Sequence, residues 1–211
     1  MKAFRFGFFG CFGVAAAGGV LLIVLVLLVA LGSGDDEEPK VVSTPPASEA
    51  GTSVAAGGEE GGEETVGTRG NPAPIGTALE AGGWVVQVDE VVPDATDLVL
   101  AENMFNEPPA EGRQFLMARV TVQYNGDEEP ATLFGAPFEF SLFGSRGVEY
   151  TTFDDDCGVV PEELDLFKEL YKGGSVSGNL CWSVPSDEVD SLLLRVRIGI
   201  VSQHEMWFAL R

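Results

Sequence analysis

Residues 115–126, FLMARVTVQYNG, alternate apolar and polar side chains and then reach a turn sequence. Successive side chains of a strand point to opposite faces, and the inward set here is Leu116, Ala118, Val120, Val122 and Tyr124. The same alternation recurs from Pro72 onward, with turn residues roughly every ten positions. This spacing is typical of antiparallel sandwiches, and it predicts an all-β sandwich of about seven or eight strands over residues 71–211.

Four further segments show the same alternation, and each has a predicted core-facing set. These sets are Trp84, Val86 and Val88; Phe138, Phe140 and Leu142; Val176, Leu180, Trp182 and Val184, with Gly178 leaving room among them; and Leu192, Leu194, Val196, Ile198 and Ile200. Residues 161–171, PEELDLFKELY, instead repeat apolar residues at helical spacing. That spacing predicts a short helix or a turn across one end of the sandwich.

The N-terminal part of the chain carries no charge from Gly7 to Leu31. About 20 apolar residues are enough to cross a bilayer as a helix, so residues 1–32 are predicted to be a transmembrane anchor. Lys2 and Arg5 precede the apolar run and no acid does, which by the positive-inside bias leaves the short N-terminus in the cytoplasm. The prediction is therefore a single-pass protein of the cell membrane, with its C-terminal domain outside the cell.

A cleaved signal peptide is the alternative to this anchor, because ALG at 30–32 resembles a small-residue cleavage site. The apolar run is longer than an ordinary signal peptide requires, which favours the anchor. Cys11 lies near the start of the run, whereas lipoproteins attach lipid to a cysteine that ends it. We expect Cys11 to pack as a free thiol within the membrane helix.

Residues 33–70 consist mainly of Gly, Ser, Thr, Pro, Ala and Glu and contain no aromatic residue. Such a segment buries too little apolar surface to offset its chain entropy, which predicts a disordered acidic tether between anchor and sandwich. The whole chain has 33 acidic and 12 basic residues, a formal net charge of −21. So negative a surface argues against binding nucleic acid or anionic lipid, and leaves basic partners, bound cations or a salty environment as alternatives.

Cys157 and Cys181 are the two cysteines of the predicted exterior, where disulfides form. A bridge between them would contribute roughly 3 kcal/mol in the chain-entropy model. By the alternation of its strand, Cys181 points away from the core, so the bridge should attach the loop at Cys157 to the outer face of that strand.

His204 is the only histidine, and we expect it to be an ordinary residue at the surface or rim of the sandwich. One histidine provides too few ligands for a typical zinc site and leaves no sequence evidence for a nucleophile with its base. No GxSxG motif is present either. The sequence therefore predicts no enzyme and no resident cofactor.

An acidic stretch is the one candidate for a cation site. Calcium prefers six to eight oxygen ligands, and carboxylates that one loop could supply are Asp154, Asp155, Asp156, Glu162 and Asp165. Their spacing does not match an EF-hand, so a solvated acidic loop is the alternative.

Met104 and Phe105, in MFNEPPAEG, are the candidate partner-binding residues. Large apolar side chains exposed on a loop can mark an interaction site. The alternative is that both side chains cap the open end of the sandwich core.

Three stretches occur in a familiar order: EGRQFLMARVTVQYNGDEEP at 111–130, FEFSLFGSRGVEY at 138–150 and GGSVSGNLCWSVP at 173–185. They resemble the telokin-like, immunoprotective-extracellular-protein group of exported bacterial and archaeal domains, in particular its branch known as a domain of unknown function. The resemblance implies an immunoglobulin-like β-sandwich behind an anchor and a low-complexity linker, and it implies no catalytic residues. The lipoprotein motif of lipid-anchored relatives is missing at Cys11.

The leading functional hypothesis is a membrane-anchored extracellular module that binds a protein, a glycan or an envelope component and catalyses nothing. The alternative is a calcium- or cation-responsive envelope-stability module that uses the acids between 154 and 165.

Overall fold

The computed structural model describes residues 38–42, 65–200 and 203–211. Among these residues, no helix has the length and apolar character that crossing a bilayer requires. The predicted anchor at 1–32 and residues 33–37 and 43–64 of the predicted tether lie outside the described residues. Both therefore stay predictions.

The described residues form nine strands, one α-helix and one short 3-10 helix, Val189–Ser191. In chain order the elements are β1 (Lys40–Val42), β2 (Ala78–Ala81), β3 (Trp84–Val92), α1 (Thr96–Glu102), β4 (Arg113–Tyr124), β5 (Phe138–Phe143), β6 (Glu149–Thr151), β7 (Ser175–Pro185), β8 (Leu193–Ile198) and β9 (His204–Ala209).

The strands form two antiparallel sheets that face each other as a sandwich. One sheet has the order β1-β2-β3-β4-β7 and the other the order β6-β5-β8-β9. The predicted all-β sandwich is confirmed, with nine strands instead of seven or eight. The additional strand is β1, which pairs with β2 although its sequence lies in the segment predicted to be a tether.

The core between the sheets consists of the side chains that the alternation placed there. Each predicted inward set lies in the core or packs against it, with one exception. The exception is Ile200, which is 75% exposed. Strand β8 ends at Ile198, and Gly199 with φ +88° turns the chain away before Ile200.

The folded domain begins earlier than the predicted boundary at residue 71. The carbonyl of Gly67 accepts a hydrogen bond from the Trp207 backbone N–H at 2.9 Å. The Arg69 guanidinium lies over the rings of Phe143 and Trp207, at 5.8 and 5.5 Å from their centroids. The end of the predicted tether therefore covers the edge of β9.

Of the two structures predicted for residues 161–171, a short helix or a turn, the turn is found, and the α-helix of the described residues is α1, which was not predicted. Residues 161–171 form turns, because the Leu164 N–H donates to the Asn179 carbonyl and the Asn179 N–H donates to the Glu162 carbonyl. These bonds use backbone groups that a helix would pair internally. The segment instead covers the edge of β7, and its Leu164 enters the core.

Gly178 provides the close approach that this cover requires. A Cβ atom added there would lie 2.4 Å from the Leu164 Cα. The glycine thus makes room for the backbone of the covering segment, in addition to its predicted position within the core-facing set of β7.

Candidate functional site

A second, smaller apolar cluster lies on the outer face of the five-stranded sheet, β1-β2-β3-β4-β7. Its members come from α1, β4, β7 and the loop after β6: Ala95, Val99, Phe115, Met117, Cys157, Val160 and Cys181. Helix α1 contributes Val99, which is fully buried although the helix has only seven residues. The outer face of the sheet is therefore covered here by the predicted loop at Cys157 and by a helix, α1, which the sequence did not predict.

The disulfide between Cys157 and Cys181 lies within this outer cluster. Its Cα atoms are 6.2 Å apart and the cysteines are 24 positions apart in sequence. The predicted bridge is confirmed, and so is its position outside the core between the sheets. It fixes the loop that follows β6 against β7.

Asn106 joins this loop to α1 and to the chain that leaves it. Its Nδ2 donates to the carbonyls of Val99, at 2.6 Å, and Val159, at 2.8 Å. Its Oδ1 accepts from the Val159 N–H at 2.9 Å. One side chain thus fixes three segments, a role that the sequence analysis missed because its partners are distant in sequence.

The turn at residues 103–106, the Met-Phe tip, projects from this fixed base. Its backbone closes through a 3.0 Å bond from the Asn106 N–H to the Asn103 carbonyl. The Asn103 Oδ1 accepts a second bond from the Phe105 N–H at 2.9 Å. Met104 is 87% exposed and Phe105 is 82% exposed. The suggestion that they cap the core is therefore wrong, because both side chains extend into solvent.

The surroundings of the Met-Phe tip combine apolar and acidic groups. Leu98 on α1 and Val159 in the disulfide loop are about half exposed, and both lie on segments that Asn106 joins. Glu102 and Glu107 flank the tip in sequence and are exposed. The Met-Phe tip therefore has exposed carboxylates on both sides of it in sequence.

The structure does not bring the five predicted calcium ligands together. Each takes a separate partner: Asp154 accepts from Thr151, Asp155 pairs with Arg113 at 3.1 Å, Asp156 accepts from the Gly158 N–H at 2.9 Å, Glu162 pairs with Arg119 at 2.5 Å, and Asp165 accepts from the Phe167 N–H at 2.9 Å. Within the described parts of the chain, no three His, Cys, Asp or Glu residues form a group that could hold a metal ion.

Asp154 illustrates what these carboxylates do instead. The Thr151 backbone N–H and then the Thr151 hydroxyl donate to its Oδ2 at 2.9 Å each, and they hold the pKa of that carboxyl below its ordinary value. The carboxylates thus close turns and pair with the arginines of β4 instead of converging on one point.

His204 is half-buried rather than plainly on the surface. Its ring lies so close to the β2–β3 turn that a Cβ on Gly82 would meet it at 2.6 Å. Its Nδ1 is buried and has no hydrogen-bond partner among the described atoms.

No protein family model matches the chain, and none of the curated proteins is significantly similar to it. Two solved structures are similar to it. One is a conserved hypothetical protein from Bacillus anthracis, 15% identical, covering 64% of this chain and 94% of its own, with a TM-score of 0.40. The other is an uncharacterized β-sandwich protein from Clostridium difficile 630, 10% identical, covering 72% of this chain and 100% of its own, with a TM-score of 0.39. Neither similarity is close enough to carry a conclusion about this chain.

Proposed function

We propose that this protein is a non-catalytic binding module that engages a partner protein through its Met-Phe tip. The single observation that carries the proposal is the exposure of Met104 and Phe105, 87% and 82%, on a turn with a fixed base. Large apolar side chains usually leave water on folding, and burying each one in a partner would contribute about 1.5–3 kcal/mol. Such anchors dominate the energy of many interfaces.

The fixed base supports binding because it lowers the entropy that association removes. Immobilising a flexible loop reduces affinity, whereas a loop that is already ordered avoids that loss. The disulfide, the three bonds of the Asn106 side chain and the two bonds within the turn order this loop before any partner arrives.

The charge beside the tip indicates which partner would fit. Glu102 and Glu107 are exposed on either side of it, and the chain as a whole carries a net charge of −21. The partner should therefore present an apolar pocket with basic side chains at its rim. The same charge disfavours insertion of the tip into an anionic bilayer.

The cellular setting of this proposal comes from the sequence. A membrane anchor at 1–32 and a tether would present the sandwich outside the cell, where a disulfide such as Cys157–Cys181 is stable. The two-sheet architecture supports an immunoglobulin-like domain of the telokin-like group. The calcium alternative receives no support from the arrangement of the acids, and an unchanged melting temperature in millimolar calcium would end it.

The proposal is tested by removing the apolar anchors without disturbing the fold. Full-length protein and its Met104→Ala/Phe105→Ala variant would be purified from native membranes after cross-linking. We expect the variant to lose a partner that the wild type retains. Its free energy of unfolding should stay within about 0.5 kcal/mol of the wild type's. Ile200→Ala is the matched control, because Ile200 is also exposed. Retention of the same partner by the double variant would contradict the proposal.

A further inference from the structure

An exposed aromatic pair lies at the other end of β4 from the Met-Phe tip. Phe134 and Phe167 are 66% and 68% exposed, and their ring centroids are 4.8 Å apart. Phe134 lies in the loop that follows β4, whereas the tip precedes that strand. The twelve residues of β4 lie between these two loops in sequence, so the pair is a second apolar feature, carried by a loop other than that of the tip.

Backbone hydrogen bonds fix the two loops that carry this pair. The Phe134 N–H donates to the Leu166 carbonyl at 2.9 Å. Ala131 and Leu170 exchange two further bonds, at 2.9 and 2.8 Å. These bonds join the two loops side by side, which places the two rings in contact.

A cavity of about 560 Å³ is lined by residues next to the aromatic pair in sequence, Gly135 beside Phe134 and Glu169 two positions after Phe167, while the two rings themselves do not line it. The loops that carry the pair contribute part of its lining, including Glu169. Its inner side is formed by the buried side chains of Trp84 and Tyr124, whose rings are 4.6 Å apart. Asp127 and Glu128 complete a negatively charged rim.

The charged side chains around the cavity favour a cationic ligand. Asp127 pairs with Lys172 at 2.7 Å, and that bond lowers the pKa of the Asp127 carboxyl. Glu128 and Glu169 form no ion pair with any cation in the described part of the chain. Lys168 lies next to Glu169 in sequence but does not line the cavity. Two carboxylates thus remain available beside two exposed aromatic rings.

We propose that this surface binds an arginine or lysine side chain from a basic segment of a partner protein. The apolar stem would pack on Phe134 and Phe167, and the charged head would enter the cavity between Glu128 and Glu169. Long basic side chains pack their apolar stem along apolar surface and hold the charged head at a polar site beyond it, which matches this order of rings and carboxylates. A second copy of this chain does not fit, because its net charge of −21 would repel the same rim.

The test is a titration of the full-length protein in neutral detergent micelles. The probe is a fluorescently labelled peptide, Gly-Arg-Leu-Arg-Gly, blocked at both ends, and the measurement is its anisotropy at physiological salt. We expect saturable binding that Glu169→Gln and Phe167→Ala each weaken about three- to tenfold. Both side chains are exposed, so neither substitution should change the melting temperature.

Two controls distinguish a site from the general attraction of an acidic protein. Glu90→Gln removes the same charge on β3, outside both proposed binding surfaces, and Phe153→Ala removes an aromatic side chain that is 90% exposed elsewhere. We expect each control to bind the peptide within about twofold of the wild type. If Glu90→Gln weakens binding as much as Glu169→Gln does, the attraction is long-range and the proposed site is wrong. Equal binding of a peptide with leucine in place of arginine would also overturn it.

Discussion

The side chain of Asn106 forms a two-way hydrogen-bonded pair with the backbone of Val159, 53 residues further along the chain. Its Nδ2 donates to the Val159 carbonyl at 2.8 Å, and its Oδ1 accepts from the Val159 N–H at 2.9 Å. This pair imitates one rung of an antiparallel sheet between two loops. The position of the Met-Phe tip therefore depends on a single amide side chain and on the disulfide behind it.

Replacing Asn106 by Asp should loosen the tip. In the wild type, the Asn106 Nδ2 donates to the carbonyl oxygens of Val99 and Val159. The aspartate carboxylate would still accept from the Val159 N–H, but it would place negative charge against these two carbonyl oxygens. We expect a loss of about 1–3 kcal/mol in the free energy of unfolding. Hydrogen exchange should become faster at residues 103–106 and 157–160. Asn125→Asp changes an amide side chain outside these loops and is the control. If this control makes exchange at residues 103–106 and 157–160 equally fast, Asn106 does not fix the tip.

Removing the disulfide should destabilise the domain and release the same loop. For the Cys157→Ser/Cys181→Ser variant, the chain-entropy model predicts a loss of roughly 3 kcal/mol. Urea unfolding with and without a reductant measures it, because the reductant should affect the wild type and leave the variant unchanged. A wild type with unchanged stability after complete reduction would show that the bridge contributes little.

Gly178→Ala should separate the covering segment from β7. The new Cβ would lie 2.4 Å from the Leu164 Cα, so the segment at 162–164 must shift. We expect a loss of about 1–3 kcal/mol, as for other overpacked sites. Ser175→Ala in the same strand is the control, because Ser175 is exposed. Equal stabilities of the two variants would contradict the close approach.

Tyr150→Phe should change both the stability and its dependence on alkaline pH. The Tyr150 hydroxyl donates to Glu188, which is 2% exposed, at 2.6 Å. Burial, and then this bond, raises the pKa of Tyr150 above its ordinary value of 10.0. The stabilisation is fully present below that ordinary value and is lost as the pH rises through the raised pKa.

The variant should be less stable by about 1–3 kcal/mol near neutral pH, because the buried carboxylate loses a donor. Its stability should also fall less steeply than that of the wild type above pH 10. Urea unfolding at both pH values measures the difference. Parallel pH profiles for the two proteins would exclude Tyr150 as the titrating group.

The two-residue alternation predicted the core well because burial on one face of a strand leaves a direct imprint on the sequence. It failed where tertiary contacts decide the structure. Helix α1 has one fully buried side chain of its own, Val99, too few for a helical period to appear. Leu164, Phe167 and Leu170 do show that period, yet pairing with β7 and with Ala131 gives turns there.

The candidate site was only partly predictable for a related reason. The disulfide follows from cysteine count, compartment and alternation. Hydrophobicity alone cannot tell whether Met104 and Phe105 cap a core or extend into solvent, and the contact of Asn106 with Val159 spans too many residues to be inferred. The separation of the acidic side chains also depends on arginines of β4, Arg113 and Arg119, that are distant in sequence.

Site-specific photo-cross-linking on intact cells tests the central claim most directly. A photoreactive phenylalanine analogue would replace Phe105 in one variant and Phe153 in another, since both side chains are more than 80% exposed. We expect one discrete adduct from position 105, lost when Met104 is also changed to Ala, and none from position 153. Equal adducts from both positions, or an adduct from 153 alone, would contradict the Met-Phe tip as the partner-binding surface.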